Sequence, residues 1–85
     1  MEYVTTSDFK EAVILLTDKF RLDKVWLLPN DRKRVAFRFE DPEEKSQKIM
    51  LDYLNGSLRV NIKDYLSNQT YLKTAINRVY ENDKF

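Results

Sequence analysis

The sequence predicts an α+β fold of order α-β-β-α-(β)-α, an antiparallel hairpin or three-stranded sheet with helices packed on one face. Three observations predict it. Residues 9–20 place apolar side chains at helical spacing, residues 34–40 alternate with a period of two, and both prolines and the single glycine fall between periodic segments. The 85 residues fit one domain, 1–85. A domain this small buries only about 60% of its unfolded surface, so its stability margin is thin.

The first helix is expected over about residues 7–19. Thr5-Thr6-Ser7-Asp8 offers N-cap side chains, and Asp8 with Glu11 resembles a capping box. Phe9, Ala12, Val13, Leu16 and Phe20 form its apolar stripe, and Ile14 falls on the opposite face. Residues 22–28 and 33–40 read as a hairpin around Pro29-Asn30-Asp31. Val35, Phe37 and Phe39 then share the core face with Val25 and Leu27, while Lys24, Trp26, Ala36 and Arg38 share the other.

Asp41-Pro42-Glu43-Glu44 predicts the start of a second helix over 42–54, with Asp41 at N-cap, Pro42 at N1 and Glu44 closing a capping box. That helix is expected to bury Ile49, Met50, Tyr53 and Leu54 and to end at Asn55-Gly56, with Gly56 in the left-handed conformation. Leu58-Arg59-Val60 is the candidate third strand. Asn61 caps a last helix whose stripe is Ile62, Tyr65, Leu72, Ile76, Val79 and Tyr80, with a break near Ser67-Asn68 as an alternative.

Composition excludes much chemistry. The chain has no histidine, no cysteine and one glycine. It therefore cannot build a histidine-based acid/base pair, a thiolate nucleophile, a Cys/His zinc site or a glycine-rich phosphate loop. The acids Glu40, Asp41, Glu43 and Glu44 are better read as helix capping than as a cation site. Asp8, Glu11, Asp52 and Asp64 supply carboxylates, but nothing in their spacing gathers two into one pocket. No apolar run is long enough to span a membrane, and the N-terminus lacks the pattern of a signal peptide. The expectation is a cytoplasmic, non-enzymatic domain (host cytoplasm if phage-encoded), with no catalytic residue, cofactor, metal or small-molecule substrate.

Two contact surfaces remain. Net charge is only +1, yet residues 21–39 hold six basic and two acidic groups. Lys24, Trp26, Arg32, Lys33, Arg34 and Arg38 are the candidate nucleic-acid or partner contacts, because cations neutralise phosphates and an exposed indole stacks on a base. The off-stripe apolar residues Ile14, Leu28, Leu51 and Tyr71 are candidate interface residues.

Thr5-Thr6-Ser7-Asp8-Phe9, Leu15-Leu16-Thr17, Arg34-Val35-Ala36-Phe37-Arg38-Phe39-Glu40-Asp41, Asp52-Tyr53-Leu54-Asn55-Gly56 and Tyr65-Leu66-Ser67-Asn68 with Leu72-Lys73 follow one another in an order that resembles a known family. The family comprises small bacterial and phage proteins grouped as domain of unknown function 5659. The family often places Lys-Gly-Phe after the first helix, where this chain has Asp18-Lys19-Phe20. The resemblance implies the fold and a phage or mobile-element setting, and it assigns no catalytic residues. The leading expectation is an accessory protein acting by surface recognition, as a homo-oligomer (a dimer first) or on a protein partner such as a host defence or replication component. The alternative is a nucleic-acid-binding module built on the hairpin 24–38.

Overall fold

The computed structural model describes residues 2–82, with the side chains of 31–33 and 82 outside the description. Its elements run β1 (Tyr3–Thr6), α1 (Phe9–Thr17), β2 (Arg21–Leu28), β3 (Asp31–Glu40), α2 (Ser46–Leu54) and α3 (Ile62–Asn82). The α+β class and the antiparallel hairpin are as the periodicities require. The sheet has three strands in the order β1-β3-β2, all antiparallel. Its third strand is β1, not residues 58–60, which are irregular. Tyr3-Val4-Thr5-Thr6 is aromatic and β-branched, so its side chains suit a pleated surface. Its position just before a run of N-cap residues hid that signal.

β3 is the central strand. Phe39 lies between Val4 of β1 and Leu22 of β2, and Phe37 between Thr6 and Val25. The fully buried cluster is Ala12, Val13, Leu15, Val35, Phe37, Phe39 and Leu72, so α1 and α3 cover the predicted core face of the sheet. α1 is tied down more tightly than one stripe implies. It buries four consecutive residues, Ala12 to Leu15, because α3 and α2 both pack against it. Ile14, expected on a polar face, is thus only 4% exposed and is withdrawn as an interface residue. Thr17 sits where α1 meets α3. Its hydroxyl donates to the Val13 carbonyl and accepts from the Asn68 amide at 3.0 Å. That bond gives polar Asn68 a partner inside the packed stripe, and α3 runs unbroken through Ser67-Asn68.

Local signals set the helix ends. The Asp8 carboxylate accepts from the Glu11 amide at 3.1 Å, as an N-cap should. The reciprocal bond comes from Thr6 instead of Glu11. The Thr6 hydroxyl accepts from the Asp8 amide and donates to the Glu11 carboxylate. Gly56 has φ of 73°, and the Gly56 and Ser57 amides bond back to the carbonyls of Tyr53 and Asp52. This is the Schellman closure that Asn55-Gly56 predicts. The Asn61 side chain caps α3 by accepting from the Asp64 amide at 3.0 Å.

α1 ends in the same closure without a glycine. The Phe20 amide bonds to the Leu15 carbonyl and the Lys19 amide to that of Leu16, while Lys19 holds φ of 71°. A side chain in that region costs about 1 kcal/mol that glycine does not incur. We expect Lys19→Gly to stabilise the fold by about 0.5–1 kcal/mol, after allowing for the freedom glycine adds to the unfolded chain. A rise of a few degrees in the thermal midpoint is the expected readout. An unchanged or lower midpoint would show that the lysine is unstrained there.

The second helix starts later than predicted. Asp41-Pro42-Glu43-Glu44 closes a β-turn, with the Glu44 amide bonded to the Asp41 carbonyl at 3.1 Å. Asp at the first and Pro at the second position favour such a turn as much as they favour a helix start. Glu44 at φ of 53° then takes the chain out of right-handed geometry, so α2 begins only at Ser46. Asp41 still acts as a cap. Its carboxylate accepts from the Lys45 amide at 2.8 Å and from the Ser46 hydroxyl at 2.5 Å. The short α2 buries Ile49 and packs Met50 on the core, but Tyr53 and Leu54 are exposed, as is Ile62 at the start of α3.

Candidate interaction surfaces

The open face of the hairpin carries the predicted contact set. Lys24 pairs with Arg38 and Trp26 with Ala36 across the strands, so these four share one face as their alternation demands. Ala36, although on this face, is only 2% exposed. Its small side chain lies directly opposite the half-buried Trp26, which covers it. Lys24 and Arg38 are like charges placed opposite each other, an unfavourable pairing by itself. A register shift between Leu22 and Lys24 leaves Asp23 as the extra residue of a bulge. The Asp23 carboxylate then takes both an Nη2 contact at 2.6 Å and an Nε hydrogen bond at 2.7 Å from Arg38.

The remaining cations described on this face are engaged too. The Arg38 guanidinium lies over the Tyr3 ring at 4.9 Å, and the Lys24 ammonium lies 5.4 Å from the Trp26 centroid. Arg34 donates to the Ser7 hydroxyl at 3.0 Å, and Arg21 pairs with Glu40 at 3.2 Å. Arg32 and Lys33 lie in the backbone of β3, with side chains outside the described residues. The hairpin therefore spends much of its positive charge on internal contacts, two of them with the Trp26 ring and the Tyr3 ring of β1. Tyr3 and Asp23 belong to this arrangement and were not among the predicted contacts. Tyr3 was legible as the first residue of a β-branched run. Asp23 depends on a bulge that no local pattern announces.

The acidic residues around 40–44 do not converge on one point. They border a cleft between the α1–β2 turn and the β3–α2 loop, with Asp18, Lys19, Phe20 and Arg21 on its other side. Glu40 is paired with Arg21, Asp41 is occupied by Lys45 and Ser46, and Glu43 pairs with Lys45 at 2.6 Å. The hydrogen bond and charge of Glu43 raise the Lys45 ammonium above its ordinary pKa. Among the described residues no group of three or more carboxylates is placed to hold a metal ion. No helix among the described residues is long and apolar enough to cross a membrane.

The off-stripe apolar residues do not converge. Leu51 is 57% exposed and lines a shallow apolar groove with Val4, Met50 and Leu54. Tyr71 is also exposed but lines a separate depression with Thr74, Ala75 and Arg78 on α3. Leu28 is half-buried at the hairpin end. The structure adds residues that the sequence reading placed in the core or left aside. Tyr53, Leu54, Val60, Ile62 and Leu66 are all exposed, with Leu54 at 76%. Helical spacing put Leu54 and Ile62 on packed stripes. Spacing alone does not reveal that α2 is short or that nothing covers the first turn of α3.

No curated protein and no solved structure matches the chain. A family model described as a domain of unknown function (DUF5659) matches residues 1–78, nearly the whole chain and every element up to the last turn of α3. The chain belongs to that family, domain of unknown function 5659.

Proposed function

We propose that this chain is a non-enzymatic protein-interaction domain that works by surface recognition through α2 and the start of α3. The observation that carries this reading is the concentration of exposed apolar side chains between residues 51 and 66. Leu51, Tyr53, Leu54, Val60, Ile62 and Leu66 are all open to solvent within that stretch. At about 200 Å² for a large side chain, they expose on the order of 600 Å² of apolar surface. Of these, Leu51 and Leu54 line one groove with Val4 and Met50, and clustered apolar exposure of this kind is commonly a contact site. The setting that goes with this reading is an accessory protein of a phage or mobile element, with a second copy or a host component as partner.

The nucleic-acid reading has weaker support. Three of its cations, Arg38, Arg34 and Lys24, already contact Asp23, Ser7, Tyr3 and Trp26, and binding a phosphate there would have to displace those contacts. The two readings separate in a titration with labelled DNA and RNA oligonucleotides at two salt concentrations. Binding to the intact chain is expected to be absent or indifferent to sequence and weak. Tight binding with a steep salt slope, reduced in Arg34→Ala/Arg38→Ala, would instead establish the hairpin as a phosphate-binding surface.

A further inference from the structure

The two edges of the sheet are built differently. β2 is guarded in the way soluble proteins protect an open edge. It carries Arg21, Asp23 and Lys24, a bulge between Leu22 and Lys24, and a second irregularity between Leu27 and Leu28. α3 also packs against it. β1 has neither the charges nor the bulges, although α1 packs against it. Tyr3-Val4-Thr5-Thr6 contains no charge and no proline, and it pairs with β3 in unbroken register. Among the described residues no strand lies on its other side. Beside it runs the apolar groove formed by Val4, Met50, Leu51 and Leu54.

We propose that β1 pairs antiparallel with β1 of a second copy, joining the two sheets into one of six strands and placing the two α2 helices side by side. This rests on the protein-interaction reading and names the partner at its β1–α2 portion. The pairing is self-consistent in three respects. A two-fold axis through Thr5 keeps the core faces of both sheets on the same side, sets the two Thr5 residues opposite each other, and lets no like charges meet along the strand. The same axis sets the two α2 helices antiparallel. The area is also adequate. Leu51, Leu54 and Tyr3, at 57%, 76% and 48% exposed, leave on the order of 350 Å² of apolar surface for contact. With the strand edge and polar rim added, each copy approaches the roughly 600 Å² at which specific dimers begin.

The test compares two pairs of exposed substitutions by sedimentation equilibrium of the full chain, with far-UV circular dichroism to confirm folding. The intact chain is expected to dimerise. Leu51→Glu/Leu54→Glu should raise the dimer dissociation constant about 100-fold or more, and Ile62→Glu/Leu66→Glu should leave it nearly unchanged. If the second pair breaks the dimer and the first does not, the β1–α2 contact is overturned while the interaction reading stands. If the intact chain is monomeric, a second copy is overturned as the partner. Because the chain lacks cysteine, Thr5→Cys adds a readout independent of stability. Rapid oxidation to a covalent dimer is expected, faster than for Lys10→Cys on α1, and equal rates would contradict the pairing.

Discussion

Phe39→Ala is expected to cost about 3–5 kcal/mol. Phe39 is fully buried on the central strand, between Val4 and Leu22, and packs within the cluster formed by α1, α3 and β3. Truncation removes both the transfer energy of a phenyl ring and the contacts of the residues left around the void. The site cannot easily collapse, because neighbours on both flanking strands are fixed by the register. A domain of this size has roughly 4–13 kcal/mol in total at ordinary stability per residue. The variant should therefore lose a large part of its stability, read as a lower urea midpoint with little change in slope. A loss under about 1 kcal/mol would mean that the core is not organised around β3, since even a single buried methylene contributes nearly that much.

The second large effect is expected at Asp41. Its carboxylate is 95% removed from solvent and takes the Lys45 amide, the Ser46 hydroxyl and, more weakly at 3.4 Å, the Ser46 amide. The Asp41 backbone amide also bonds to the Glu2 carbonyl beside β1. One residue thus joins the end of β3, the entry to β1 and the start of α2. Asp41→Ala leaves the buried Ser46 donors without their acceptor and should cost about 2–3 kcal/mol. Asp41→Asn should recover part of the loss, because its carbonyl oxygen replaces one acceptor while its amide cannot accept. Chemical denaturation of the three proteins checks the order. An alanine variant within about 0.5 kcal/mol of the parent, the range of ordinary surface changes, would show that α2 is held by its apolar contacts through Ile49 and Met50.

Much of the fold was legible because its punctuation is strong and local. Period-two alternation gave the hairpin and its two faces, and Asn55-Gly56 gave a helix stop with the expected left-handed glycine. Asn61 gave the last cap. What stayed hidden depended on tertiary context. β1 exists because β3 offers it a free edge, and Ile14 is buried because α2 and α3 both pack against α1. Asp41-Pro42 fits two local structures, and Glu44 decided between them.

The contact surfaces were legible only in part, for the same reason. The hairpin set Lys24, Trp26 and Arg38 does share a face, but the bulge that lets Asp23 neutralise Arg38 does not show in a linear pattern. The exposed Leu54 and Ile62 looked like core residues because exposure depends on what fails to pack on them. Lys19 illustrates the opposite case. The missing glycine was visible, yet the closure forms regardless with lysine in the left-handed conformation.

Sedimentation equilibrium of the intact chain at low and high salt, with a labelled oligonucleotide present, tests the central claim most directly. Contact through apolar side chains predicts self-association that is undiminished at high salt, since screening weakens charge pairs and leaves apolar burial intact. The oligonucleotide should sediment on its own. A monomer that carries the oligonucleotide at low salt and releases it at high salt would contradict the account and shift function to the basic hairpin.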